Sequence, residues 1–113
     1  MITPSDFFYL LSDETRLRCL LLLKAKGELC VCELTSALKM IQPKISQHLA
    51  VLKKFDVVSD RREGIWIYYQ IHNKLPKWSH QILITCFKYM KITKPYSLDL
   101  AMLERLNQRK WNC

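Results

Sequence analysis

The first third of the chain repeats apolar residues at helical spacing. Residues 5–11, "SDFFYLL", predict a short apolar helix. A second helix is expected from a cap at Ser12 or Asp13 to a stop at Gly27, since Ser and Asp cap helix starts and Gly tolerates the conformation that ends them. Its apolar residues form two adjoining stripes: Leu17, Leu20 and Leu21, and Cys19, Leu22 and Leu23. A helix that is apolar over this much of its circumference is mostly buried.

The next segments predict two short helices joined by a tight turn. The first runs from about 31 to 39, and the turn is "MIQ" at 40–42. Pro43 suits the first position of the following helix, about 43–54. Its core-facing residues repeat at i, i+4 and i+7 and are Ile45, Leu49 and Leu52. Small polar and basic residues near its start complete a helix-turn-helix pattern.

The apolar period then changes from 3.6 to 2, which indicates strands. Residues 57–61 and 65–71 predict a hairpin turned at Arg62-Glu63-Gly64, and together they form a basic "wing" at about 57–71. A fifth helix is expected over about 76–91 and a last one over 98–109, capped by Ser97. The fold class is therefore mainly α with a small β-hairpin, a winged helix-turn-helix.

Size and charge narrow the function. A chain of 113 residues is enough for one compact domain, so we predict a single domain over 1–113. The formal net charge of +8, spread along the chain, indicates a basic surface with nucleic acid as the leading partner. The sequence shows neither an export signal nor an apolar run of about 20 residues, which favours a cytoplasmic protein without membrane contact.

Two of the five cysteines stand one residue apart in "ELCVCEL". The odd count, without the spacing of a disulfide framework, favours reduced thiols. Residues i and i+2 of a regular helix point about 200° apart. Cys30 and Cys32 can therefore hold one atom only if the segment is extended or the first helical turn is distorted. The start of a helix is also expected to lower the pKa of these thiols.

Taken in order, the motifs resemble one family. "LSDETRLRCLLLL", "GELCVCEL", "QPKISQHLAVLKKFDVV", "DRREGIWIYYQI" and "LPKW" are similar to segments of the arsenic- and metal-responsive winged-helix repressors of the ArsR/SmtB type. The resemblance implies a homodimer, with dimerisation helices at about 5–11 and 76–91, that represses transcription from operator DNA. It also implies release when trivalent arsenic or antimony binds Cys30 and Cys32, with no cofactor required and no enzymatic activity.

The same resemblance assigns a DNA-contacting set. Gln47 is expected to reach base edges, Ser46 a base or phosphate, and Lys44 a phosphate. The arginines at the wing suit a minor groove or phosphates. The complete set is Gln42, Lys44, Ser46, Gln47, His48, Arg61 and Arg62. Lys53 and Lys54 are further candidates for phosphate contacts. An alternative role for His48 is a hydrogen bond to a backbone group rather than a contact with DNA.

The sequence departs from the family at one effector position. Thr35 stands where the best-known branch has a third cysteine. Two-thiolate binding completed by a hydroxide, binding of methylated trivalent arsenic, or a third thiol from elsewhere all remain open. Cys19 and Cys86 are expected in the core, and Cys113 is interpreted as an inert terminal thiol. A zinc-type site is discounted, because His80 is the only histidine near the fifth helix.

Two rival functions use the same thiols. A redox or persulfide sensor on this fold would have to close a small, strained disulfide ring, and mass spectrometry after mild peroxide would detect it. A small thiol enzyme such as an arsenate reductase would need an anion cradle, which no Gly-rich loop here provides.

Overall fold

The computed structural model describes residues 2–108. Over this range the chain forms six α-helices and three short strands. In chain order they are α1 (Pro4–Leu11), α2 (Glu14–Lys26), β1 (Leu29–Cys30), α3 (Val31–Leu38), α4 (Gln42–Lys54), β2 (Val58–Glu63), β3 (Trp66–Ile71), α5 (Lys77–Met90) and α6 (Tyr96–Gln108). The predicted mainly α, winged helix-turn-helix fold is confirmed. No helix within the described range is long and apolar enough to span a bilayer.

Helix α2 is the centre of the core, as its two apolar stripes predicted. The Asp13 carboxylate caps it by accepting a hydrogen bond from the Arg16 backbone at 3.1 Å. Gly27 ends it at φ +93°, in the region that glycine tolerates best. Cys19 and its neighbours 20–23 are almost fully buried. Burial raises the pKa of Cys19 to about 12, so this thiol is a packing residue, as predicted.

Helices α3 and α4 form the predicted helix-turn-helix. The turn between them uses Lys39, which adopts a left-handed conformation at the end of α3. Helix α4 begins at Gln42 with Pro43 in its first turn, and Ile45, Leu49 and Leu52 are fully buried. These three residues fix which face of α4 points outward.

The sheet differs from the predicted hairpin in two ways. It has three antiparallel strands in the order β1-β3-β2, and the short β1 was not predicted because two residues carry no visible period. The turn lies at Gly64 and Ile65, whereas Arg62 and Glu63 are paired strand residues. Gly64 has φ +63°, so the chain reverses there and Ile65 is exposed at the wing tip.

The last helix begins two residues earlier than predicted. The Pro95 carbonyl accepts hydrogen bonds from the backbones of Leu98 and Asp99, so Ser97 lies inside α6 and is not its cap. Helix α6 packs against α2 and α3. Arg18 of α2 donates two hydrogen bonds of 2.8 Å to the Asp99 carboxylate. The predicted end of this helix at residue 109 and the terminal Cys113 lie outside the described residues.

Candidate functional site

Cys30 and Cys32 lie at the junction of β1 and α3. Cys30 is the N-cap of α3 with an extended backbone (φ −82°, ψ 162°), whereas Cys32 is in the first helical turn. Because Cys30 is outside the helix, its side chain escapes the divergence of about 200° that a regular helix imposes. The two sulphur atoms are 2.9 Å apart. For both sulphurs to hold one ion, the sequence required this segment to be extended or the first helical turn to be distorted. The extended backbone of Cys30 meets that requirement.

A single soft ion fits this sulphur spacing. Thiolate sulphur binds zinc at about 2.3 Å, so two sulphurs that share an ion of this size can be at most about 4.6 Å apart. Soft thiolates select soft ions over hard ones such as Mg²⁺ and Ca²⁺. Within residues 2–108, no group of three His, Cys, Asp or Glu side chains is arranged to hold a metal ion. The spacing of the two sulphurs is compatible with one soft ion bound by both of them.

The expected decrease in thiol pKa is wrong for Cys30. Burial raises the pKa of this thiol, and the nearby Glu33 carboxylate raises it further. Backbone N–H groups of Glu33 and Cys32 oppose these effects without outweighing them. The Glu33 carboxylate also accepts a hydrogen bond from the Cys30 backbone at 3.0 Å, which fixes the start of α3. Cys30 is thus held by its backbone and less acidic than an exposed thiol.

Thr35 occupies the wall of the thiol site but directs its hydroxyl elsewhere. That hydroxyl donates a 2.8 Å hydrogen bond to the Cys32 carbonyl. A cavity of about 250 Å³ opens beside the two sulphurs, between the start of α3, the start of α4 and the wing. Its lining is Cys30, Val31, Cys32, Thr35, Gln42, Ile65, Trp66 and Ile67. The thiol pair therefore faces a surface that includes both predicted DNA-binding elements.

Strand β1 connects the thiol segment directly to the wing. Leu29 pairs with Tyr69 and Cys30 with Tyr68 of β3. On the other side of β3, Arg61 of β2 also pairs with Tyr68. Directly opposed residues share one face of an antiparallel sheet. Cys30, Tyr68 and Arg61 therefore form a row across one face of the wing, which sequence reasoning missed together with β1.

The predicted recognition helix presents its polar residues to solvent. Gln42, Lys44 and Gln47 are exposed, and Ser46 is half-buried. They lie on the side of α4 opposite its buried stripe. This is the placement that a helix-turn-helix needs to insert α4 into a major groove. Lys53, a further phosphate candidate near the end of α4, forms an ion pair with Asp60 of β2, with Nζ and Oδ2 3.0 Å apart.

His48 is tied to the protein rather than pointing freely outward. Its Nδ1 is 3.3 Å from the Arg16 guanidinium, and its Nε2 is 3.9 Å from the Asp13 carboxylate. Arg16 is itself buried and donates hydrogen bonds to the Leu10 and Tyr9 carbonyls. Burial raises the pKa of Asp13, but hydrogen bonds from the backbones of Arg16 and Thr15 and the nearby Arg16 guanidinium outweigh it, so the pKa is lowered. His48 therefore links α4 to the junction between α1 and α2.

The two predicted wing arginines differ in their surroundings. Arg61 donates hydrogen bonds of 2.7 and 2.8 Å to Glu28 and one of 2.9 Å to Glu63. Its guanidinium also lies over the Tyr68 ring, 4.6 Å from the centroid. Those carboxylates raise the pKa of Arg61, so it stays charged. Arg62 is exposed and points along the other face of the strand, where it can meet a phosphate.

Comparisons with known proteins point to one family. Residues 13–60, from the α2 cap through the thiol segment and α4 into β2, match the model of the bacterial regulatory proteins of the arsR family. The chain is 55% identical over 83 residues to the arsenic resistance transcriptional regulator ArsR2 of Pseudomonas putida, covering 74% of this chain and 72% of that protein. The chain belongs to the ArsR family.

Two further relatives agree with this assignment. The arsenical resistance operon repressor of Escherichia coli is 45% identical over 82 residues, which cover 73% of this chain and 70% of that one. The crystal structure of the antimony-specific repressor AntR superposes with a TM-score of 0.64 at 28% identity, over 75% of this chain and 74% of AntR.

Membership of the ArsR family decides between the classes of function raised by the sequence. The relatives are transcriptional regulators that act on DNA and are not enzymes, so the thiol-enzyme alternative is excluded.

Proposed function

We propose that this ArsR-family chain is a cytoplasmic repressor that binds operator DNA as a homodimer and leaves it when trivalent arsenic or antimony binds Cys30 and Cys32. The observation that carries the proposal is the 2.9 Å separation of the two sulphurs within the DNA-binding unit. The names of the relatives, which concern arsenic and antimony, support the choice of effector.

Two routes would carry the effector signal to DNA. Binding at Cys30 and Cys32 would repack the first turn of α3, which packs against the recognition helix α4. It would also pull on β1 and hence on Tyr68 and Arg61 of the wing. Couplings of about 1–3 kcal/mol are typical between allosteric sites and change affinity by roughly 5- to 150-fold. Either route needs only a small displacement of one of these elements.

A titration of a DNA complex tests the proposal. Fluorescently labelled DNA from upstream of the protein's own gene is bound under reducing conditions, and arsenite or antimonite is added while anisotropy is followed. We expect anisotropy to fall to the value of free DNA. A complex that releases DNA only after mild peroxide, with a mass change on Cys30 or Cys32, would instead support the redox alternative.

Recognition-helix variants test the DNA-binding assignment. We expect Gln47→Ala to weaken operator binding by about 1–3 kcal/mol, since a bidentate base contact has this value, and to relax preference at one base position. Lys44→Ala should weaken binding to all sequences and make the log–log salt slope shallower by about 0.9 for each phosphate that is no longer neutralised. Lys91→Ala, an exposed lysine at the end of α5, is the control. Equal salt slopes for Lys44→Ala and Lys91→Ala would contradict the phosphate contact.

An exposed aromatic and aliphatic surface supports the homodimer. Phe7 of α1 packs edge-on against Trp78 of α5, with ring centroids 5.5 Å apart, so these two helices adjoin. Phe8 and Tyr89 expose 55% and 67% of their areas. A shallow groove on α5 is lined by Trp78, Gln81, Ile82, Thr85 and Cys86. Cys86 is partly buried in this groove and packs against the core, so its predicted core position is confirmed in part.

A charge placed in this groove should prevent dimerisation. Ile82→Glu is expected to shift sedimentation from dimer to monomer and to abolish operator binding at nanomolar protein concentration, because a buried unpaired carboxylate is strongly unfavourable. Lys91→Glu places the same group about 180° away around α5 and should remain dimeric. A dimeric Ile82→Glu variant would exclude this surface as the interface.

A further inference from the structure

The start of the recognition helix α4 carries an apolar side chain that the fold does not bury. Ile41 is the N-cap of α4, with an extended backbone (φ −68°, ψ 147°), and 71% of its area is exposed. Its side chain makes no capping hydrogen bond. Ser, Thr, Asp and Asn are strongly preferred at an N-cap, and isoleucine is among the poorest residues there. Neither capping nor core packing therefore explains an isoleucine at this position.

The backbone on both sides of Ile41 holds this side chain in place. Lys39 reverses the chain in a left-handed conformation, and the Met40 backbone donates a hydrogen bond of 3.2 Å to the Thr35 carbonyl. The Met40 side chain packs against the core. The Ile41 carbonyl accepts a hydrogen bond of 3.3 Å from the Ile45 backbone. The exposed side chain therefore stands on a turn that is anchored before and after it.

This turn lies on the side of the molecule that the helix-turn-helix shares with the wing. Gln42, the next residue, lines the cavity that the start of α4 forms with the wing. In a helix-turn-helix, the first residues of the recognition helix contact base edges in the major groove. Lys44 gives the first turn of α4 a positive charge, and this turn contains no acidic residue. A partner that presents an apolar group between phosphates fits these surroundings.

We infer that Ile41 recognises a thymine in each half-site of the operator by packing against the 5-methyl group of that base in the major groove. The inference rests on the proposed function and adds a specificity-determining residue to its DNA interface. The thymine methyl is the apolar group that base pairs present in the major groove, and none of the other three standard bases carries it. The exposed area of Ile41 is then covered only when a matching operator is bound.

Replacing thymine by deoxyuridine removes this methyl group and keeps every hydrogen-bonding group of the base. Synthetic operators in which one symmetry-related pair of thymines at a time is replaced are labelled, and their affinity for the protein is measured by anisotropy. At one pair we expect the wild-type protein to lose affinity by about fourfold per methyl group and roughly 15-fold for both, as exposure of a methyl-sized apolar group implies. Equal affinities for the thymine and deoxyuridine operators at every pair would overturn the inference.

Ile41→Ser shows whether this residue causes the preference for thymine. The ratio of affinities for the two operators is compared, because a serine hydroxyl can itself bind a phosphate. We expect the thymine preference at the sensitive pair to disappear in this variant. Ile92→Ser is the matched control, since Ile92 is 80% exposed but lies beyond α5, and it should keep the wild-type preference. An undiminished thymine preference in Ile41→Ser would overturn the inference.

The same variant separates recognition from folding. Serine is a favoured N-cap residue, so Ile41→Ser should melt at the wild-type temperature or above it. A loss of thymine preference in a protein of equal or greater stability cannot be attributed to a damaged helix-turn-helix.

Failure of the proposed function is recognised separately. If the wild-type protein does not bind the unmodified operator, its DNA-binding function is wrong and the inference falls with it. If the protein binds but neither arsenite nor antimonite releases it, only the effector part of the function is wrong, and the thymine comparison keeps its meaning. If Ile41→Ser changes sedimentation but not the thymine preference, Ile41 belongs to a protein interface, which overturns the inference and leaves the proposed function standing.

Discussion

Replacing Cys30 and Cys32 together by serine is expected to abolish arsenite-induced release while leaving operator affinity within about twofold of wild type. Serine keeps the size of cysteine but offers a hard hydroxyl in place of a soft thiolate, so the soft ion loses its ligands. If the coupling is in the typical range of about 1–3 kcal/mol, its loss removes the whole shift in DNA affinity. Anisotropy titration of labelled operator measures both quantities in one experiment.

The serine variant should keep the local fold, which makes the result interpretable. Cys30 is the N-cap of α3, and serine is among the favoured residues at that position. The hydrogen bond from the residue-30 backbone to Glu33 does not depend on the side chain at position 30. We therefore expect the melting temperature of the double variant to equal or exceed that of wild type.

Cys86→Ser is the matched control for the thiol variant. Cys86 is partly buried on α5 and belongs to a different groove. It should release DNA at the same arsenite concentration as wild type. Release that persists in Cys30→Ser/Cys32→Ser but disappears in Cys86→Ser would place the effector site in the groove on α5.

The apolar periodicity of the sequence was sufficient to predict the helices and the outward face of α4. Ile45, Leu49 and Leu52 are one stripe in the sequence and one buried face in the fold, so the exposure of Gln47 on the other side follows. Helix boundaries were less predictable. Whether Ser97 or Pro95 begins α6 depends on which carbonyl accepts the first hydrogen bonds, and both residue types are common at helix starts.

The environment of the thiols could not be predicted from local sequence. Cys30 belongs to β1 only because Tyr68, 38 positions further along, offers it a partner. The same pairing brings Trp66 to the cavity and buries Cys30, which reverses the expected direction of its pKa shift. The ion pairs between Glu28 and Arg61 also depend on this long-range register. A two-residue strand has no period of its own, so only the folded chain specifies these contacts.

Asp99→Ala is expected to have the largest effect on stability of any single substitution at a charged residue in the described structure. The Asp99 carboxylate exposes 4% of its side chain and receives both 2.8 Å hydrogen bonds from Arg18, whose side chain is 14% exposed. The hydrogen bonds to Asp99 raise the pKa of Arg18. A guanidinium stays charged in proteins even without such a partner, so removing Asp99 leaves an unpaired, partly buried charge. Removing one partner of a buried pair typically costs about 3–5 kcal/mol. Because whole domains are stable by only about 5–15 kcal/mol, we expect the melting temperature to fall by roughly 10 °C or more.

Two further variants show whether the unpaired charge is the cause. Arg18→Met/Asp99→Leu removes both charges and should recover most of the lost stability, because apolar replacements of a buried pair are often neutral or stabilising. Asp60→Ala breaks the exposed pair with Lys53, at 3.0 Å, and should cost less than about 1 kcal/mol. Denaturant unfolding of all four proteins measures the differences. A loss in Asp99→Ala no greater than that in Asp60→Ala would mean that α6 is not held on α2 by this ion pair, and that the apolar packing of Leu103 in the core holds it instead.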